Sequence, residues 1–103
     1  MVVFGMLRIT PITEKDITAD VAAALDALDE HDVAYETNPM STVIEAETIH
    51  DLFAAVEAAH EAVDGDHINT LLQIDDMRTK SLDAASKVAA VEEELGRDAK
   101  SSR

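Results

Sequence analysis

A chain of 103 residues is the length of one domain, and folding it hides roughly two-thirds of the surface its open form exposes, enough for a single core. Hydrophobic residues make up 47% of it, which excludes a disordered chain, and the absence of cysteine excludes disulfides, zinc knuckles and thiol chemistry. A formal net charge of -14, from 22 acidic and 8 basic residues, makes nucleic acid and anionic membranes poor partners.

The acids are dispersed along every segment rather than run together, and small residues abound. This pattern suits a surface adapted to high salt, so a halophilic-type acidic protein is expected. The three aromatic residues, Phe4, Tyr35 and Phe53, are too few for a base-stacking surface. Residues 1–8 lack the basic start and cleavage site of a secretion signal, and no apolar run reaches the roughly 18 residues of a membrane span. A cytoplasmic location is the expectation.

Residues 2–10 read as a strand. Val3, Leu7 and Ile9 share one face with Gly5 between them, Val2, Phe4 and Met6 share the other, and Pro11 ends the run. Residues 17–31 read as a helix on the stripe Ile17, Val21, Leu25 and Leu28, with Asp16 and Thr18 as competing caps. The short runs 33–37 and 42–46 are strands joined by Asn38-Pro39-Met40-Ser41, a hairpin connection.

Thr48-Ile49-His50-Asp51 caps a second helix. Its stripe is Leu52, Val56, Ala59 and Val63, widened by Phe53 and Ala62, and Gly65 is available as a left-handed stop. Residues 67–75 alternate as a fourth strand, with Ile68, Thr70, Leu72 and Ile74 on one side. Ser81 then precedes a third helix carrying Leu82, Ala85, Val88, Val91 and Leu95, stopped by Gly96.

The order β-α-β-β-α-β plus a terminal helix predicts an α+β, ferredoxin-like fold, an antiparallel four-stranded sheet with two helices on one face. The domain is taken to span 1–96, with a polar tail over 97–103. Two helices cover one face only, so Val2, Phe4 and Met6 call for a cover on the other. Either the third helix or a second subunit supplies it, and a symmetric dimer or tetramer is the expected assembly.

No catalytic apparatus stands out. Glu57-x-x-His60 has the spacing of a carboxylate-bridged metal motif, but in a single copy it reads as a solvated helix face. Asp64-Gly65-Asp66 lacks the ligands of a calcium loop, and there is no glycine-rich phosphate loop or nucleophile elbow. No metal and no cofactor are expected. Two stretches remain unusual: the hairpin from Glu36 to Glu45, with hydroxyls on both flanks and a flexible Met, and the strand end from Ile74 to Lys80, which runs into mixed charge.

Those stretches carry a resemblance. Tyr35-Glu36, Pro39-Met40, Thr42-Val43-Ile44-Glu45, Phe53 to Ala62, Ile74-Asp75-Asp76 with Arg78, and Lys87 to Leu95 follow in order a pattern similar to the small thiamine-binding protein family, long catalogued as a domain of unknown function. The family's glycine after Pro-Met is Ser41 here, and its glycine-rich segment after the first strand is replaced by Thr13-Glu14-Lys15-Asp16.

The resemblance implies a non-catalytic, ferredoxin-like tetramer that binds thiamine or its hydroxymethylpyrimidine moiety. Thiamine presents an aminopyrimidine and a cationic thiazolium. On that basis Thr37 and Thr42 are expected at the ring edge, Met40 on its face, Glu45 or Asp75 at the cation, Gln73 as a further hydrogen-bonding group, and Ser41 among the ligand-binding residues. Arg78 is expected to pair with Asp75 or Asp76, or to meet a phosphate on the ligand. Two other readings stand beside this one: an oligomeric interaction module without a ligand, and a small enzyme on the same scaffold.

Overall fold

The computed structural model describes residues 2–78 and 83–99. In chain order these form β1 (Val3–Pro11), α1 (Thr18–Leu28), β2 (Ala34–Thr37), β3 (Thr42–Ala46), α2 (Ile49–Ala62), β4 (Ile68–Asp76) and α3 (Ala84–Leu95). The strands make one sheet in the order β2-β3-β1-β4, with every neighbouring pair antiparallel. This is the expected ferredoxin-like α+β fold.

Alternation along β1 sets the two layers. Side chains on a strand point to opposite faces in turn, and Val3, Leu7 and Gly5 fall on the side of α1 and α2. There they meet Ile44 and Ala46 of β3, Ala24 and Leu28 of α1, and Leu52, Ala55, Val56 and Ala59 of α2 in one aliphatic cluster. Leu28, Ile44 and Leu52 are wholly buried. Gly5 is needed for space: a Cβ there would lie 2.8 Å from Leu52 Cδ1. The aromatic residues stand outside this core or at its rim. Phe4 is on the other face of the sheet, and Phe53 is 52% exposed rather than widening the buried stripe of α2. Ala62, also expected on that stripe, is exposed, and Ala55 is buried instead.

The helix ends show where local chemistry governs. Asp16 accepts from the Thr18 hydroxyl at 2.6 Å and the Thr18 N–H at 2.9 Å, and these bonds hold its carboxyl below the usual range. The N-cap position itself falls to Ile17, which offers no side-chain bond. α1 stops at Leu28, three residues short of the expectation, because the N–H groups of Glu30 and His31 bond back three residues to Ala27 and Leu28 and tighten the chain into a turn. The Tyr35 hydroxyl donates to Asp29 at 2.7 Å and ties this turn to β2.

α2 begins as predicted, with Thr48 Oγ1 accepting from the Asp51 N–H at 3.0 Å. It ends without a left-handed residue. Val63 turns into extended backbone and buries its side chain, and Gly65, with φ of 158°, is far from the left-handed helical value.

Ser81 and Leu82 lie outside the described residues. The N-cap of α3 is Asp83, whose carboxylate accepts from the Ser86 N–H at 2.8 Å. Gly96 closes the helix as expected, left-handed at φ 71° with its N–H bonded to Glu92 O.

The second face of the sheet carries Phe4, Met6 and Arg8 of β1, Val43 and Glu45 of β3, and Asn69, Leu71, Gln73 and Asp75 of β4, by the same alternation and the strand registers. α3 lies over one end of it. Lys87 Nζ is 4.3 Å from the Phe4 ring centroid and 3.2 Å from Asp75 Oδ2. Phe4 and Asp75 are cross-strand partners, so one lysine engages both ends of a rung. The rest of α3 does not bury itself: Val88, Val91 and Leu95 are exposed, as is Leu71 on the sheet.

Candidate functional site

The strands of the sheet differ in length, and the difference makes a cavity. β1 pairs with β4 from Val3 to Pro11 but with β3 only from Val3 to Leu7. β3 starts at Thr42, where the hairpin turns the chain away. Beyond that rung Arg8, Ile9 and Thr10 have no strand partner on the hairpin side. Over the gap stands α1, and between them is a cavity of about 190 Å³. Its floor is Leu7 to Thr10, its roof Ile17, Val21, Ala24, Leu25 and Leu28, and its end wall Thr37 to Thr42. This explains why Ile17 and Val21 remain partly exposed: that half of the apolar stripe of α1 faces the cavity, while Leu25 packs against the core and Leu28 lies within it.

The hairpin wall is held from within. Asn38 Oδ1 accepts from the Met40 N–H at 3.0 Å and the Ser41 N–H at 3.1 Å, while the Asn38 N–H donates to Ser41 O at 2.9 Å. A side chain that bonds its own backbone two and three residues on fixes a turn. Thr37 and Thr42 are paired across β2 and β3 on the helix side, and their hydroxyls lie 2.9 Å apart. Thr42 is the one buried polar residue among those described, 8% exposed. Met40 is 70% exposed, at the rim rather than inside.

The lining contains no carboxylate, and its single charged residue is Arg8. What the arrangement offers a guest is therefore an apolar slot, a hydroxyl pair and an open strand edge. In an antiparallel strand each residue sends its N–H and C=O to the same neighbour, left and right in turn. Over Arg8 to Thr10 at least one residue therefore turns such a pair toward the vacated side. An adjacent donor and acceptor match the edge of an aminopyrimidine.

Of the eight residues expected at the site, the structure brings Thr37, Met40, Ser41 and Thr42 together on the cavity. It places Glu45, Gln73 and Asp75 on the other face of the sheet, where Glu45 and Asp75 flank Phe4 from either side and Gln73 sits beside Met6. Asp75 is engaged by Lys87. Arg78 lies beyond β4 and pairs with Asp76, Nε to Oδ2 at 3.1 Å, one of the pairings expected for it. The residues missed are those of α1 and the far half of β1. Their apolar and mixed character is that of any packed segment, so only the register reveals their role.

His60 does not stand with a metal set. Its Nδ1 lies 2.5 Å from Thr70 Oγ1, linking α2 to β4, and among the described residues no group of three or more His, Asp or Glu side chains is placed to hold an ion. Nor is any described helix long and apolar enough to cross a membrane.

The fold and the cavity define a ferredoxin-like α+β domain with a small apolar chamber at the end of its hairpin. The chain belongs to the thiamine-binding protein family, whose sequence profile matches residues 6–92. A UPF0045 protein of Methanothermobacter thermautotrophicus is 42% identical over 82 residues, covering 77% of this chain and 83% of that relative. Among solved structures, a hypothetical protein of Methanocaldococcus jannascii superposes with a TM-score of 0.82 at 27% identity, covering 89% of this chain and 97% of the other. A Thermotoga maritima protein, provisionally assigned to thiamine biosynthesis or salvage, superposes with a TM-score of 0.74, covering 88% and 99%. At 18% identity that last likeness speaks for the fold.

Proposed function

We propose that this protein is a non-catalytic carrier or sensor of a small pyrimidine, with the hydroxymethylpyrimidine portion of thiamine as its guest. The observation that carries the reading is the chemistry of the cavity wall: apolar above and below, a Thr37–Thr42 hydroxyl pair at one end, and no carboxylate. Family membership supplies the ligand class. The cavity, at about 190 Å³, is smaller than the roughly 300–1,000 Å³ typical of sites for drug-sized ligands, which favours one ring over two. A wall without an acid also favours a neutral pyrimidine over a cationic thiazolium.

Calorimetric titration with hydroxymethylpyrimidine and with thiamine, in molar potassium chloride, tests the proposal. Binding of the pyrimidine at least as tight as that of thiamine is expected. Thr42→Val, which keeps the shape and removes the buried hydroxyl, is expected to weaken it about tenfold, or ~1.4 kcal/mol. No heat and no thermal shift at millimolar pyrimidine would sink the reading, and turnover of the ligand would point to an enzyme.

A second reading, an assembly module, has its own support. Val88, Val91 and Leu95 on α3 and Leu71 on the sheet form exposed apolar surface on the face away from α1 and α2. Burial between copies in a symmetric dimer or tetramer is the economical use of such surface. The two readings are compatible, since the cavity opens on the other side of the sheet. The acidic surface accords with a cytoplasm of high salt.

A further inference from the structure

The cavity has a neighbour across the thickness of the sheet. A second depression, about 200 Å³, lies on the opposite face and is lined by Arg8, Thr10, Ile12, Asn69 and Leu71. Arg8 and Thr10 line both spaces. They can do so because β1 has no neighbour on the hairpin side past Leu7, so only the width of one strand separates the two.

Arg8 is the single cation in either lining, its side chain is exposed, and no ion pair engages it among the described residues. Of the other described lysines and arginines, Arg78 and Lys87 are occupied by Asp76 and Asp75, while Lys15 and Arg97 form no ion pair among the described residues. The register explains how it stays free: around Arg8 on this face stand Met6, Thr10, Asn69, Leu71 and Gln73, none of them ionisable. Those β1 and β4 neighbours carry no carboxylate, and a hydroxyl and a side-chain amide stand beside Arg8 as further donors; Glu36 is on the same face, next to Val43 on the far side of β3.

We propose that the ligand of this site bears a phosphate: the ring occupies the cavity and a phosphate monoester on its exocyclic alcohol passes the open edge of β1 to Arg8, with Thr10 and Asn69 completing the donor set. This rests on the pyrimidine reading above and narrows it. A guanidinium and an oxyanion make charge-assisted hydrogen bonds, roughly twice as strong as neutral ones, and the planar fork of arginine matches phosphate geometry.

The test is a titration of wild type and Arg8→Gln with two probes, hydroxymethylpyrimidine and its phosphate monoester, in phosphate-free buffer. Wild type is expected to prefer the monoester about tenfold, and Arg8→Gln to lose that preference while melting at the same temperature. Equal affinity for the two probes in wild type overturns the inference and leaves the pyrimidine reading standing. So does a preference that survives in Arg8→Gln. No heat from either probe removes the pyrimidine reading and this inference together.

Discussion

Gly5 lies under α2 where β1 crosses it, and the fit is made by a hydrogen. An added methyl would meet Leu52 Cδ1 at 2.8 Å and Leu72 Cδ1 at 3.2 Å, and Leu52 is itself wholly buried and has little room to turn. Gly5→Ala is therefore expected to cost about 1–2 kcal/mol by overpacking. The cost should shrink in a Leu52→Ala background, where space has been made. A denaturant-unfolding double-mutant cycle reads this coupling, and additive effects would refute it. The same alternation that puts Gly5 beneath the helix decides which site residues meet. Thr42 and Glu45 are three apart on one strand, so they point to opposite faces, and parity alone separates the hydroxyl from the acid. That signal was in the sequence. Resemblance to a family grouped them as neighbours along the chain, which a strand does not honour.

Among the elements, α3 is held by its ends and by one lysine. The Asp83 carboxylate is kept below its usual pKa by its bonds to Ser86. A depressed carboxyl stabilises the fold above its unfolded pKa, and the benefit disappears as pH falls through the lower folded value. α3 should therefore fray first in acid, seen as loss of amide protection over Ser86 to Val88 before the sheet opens. Asp83→Asn, a cap of similar strength without a charge, should remove that pH dependence. A helix that frays identically in both proteins would refute the assignment. The sequence reading put only Ser81 ahead of this helix; the helix begins at Ala84, and that start gives the cap to Asp83. By contrast Thr48 and Gly96 were legible outright, because each has a residue type that chemistry demands at a position the hydrophobic period had already marked.

For the whole molecule, charge and assembly go together. The net charge of -14 is spread over a small body, so at low ionic strength its parts repel across a Debye length of about 10 Å, and in molar salt across about 3 Å. The Tm is expected to rise by several degrees between these conditions, and light scattering in the high-salt sample should give a dimer or tetramer. A flat Tm would set aside the salt-adapted reading, and a monomer would leave the exposed faces of α3 and β4 unexplained. The layer order and both sheet faces could be read from periodicity, since burial imposes period two on strands and three to four on helices. The cavity could not. It exists because two strands of unequal length share an edge, and unequal length is a relation between segments far apart in the chain.

That relation puts the chamber's size under the control of the hairpin rather than of its lining. If β2 and β3 each grew by two rungs, Arg8 and Ile9 would find partners, the sheet would zip further along β1, and the hole would vanish with every residue of its α1 roof still in place. Hairpin length thus acts as a dial between a domain with room for a guest and a sealed one.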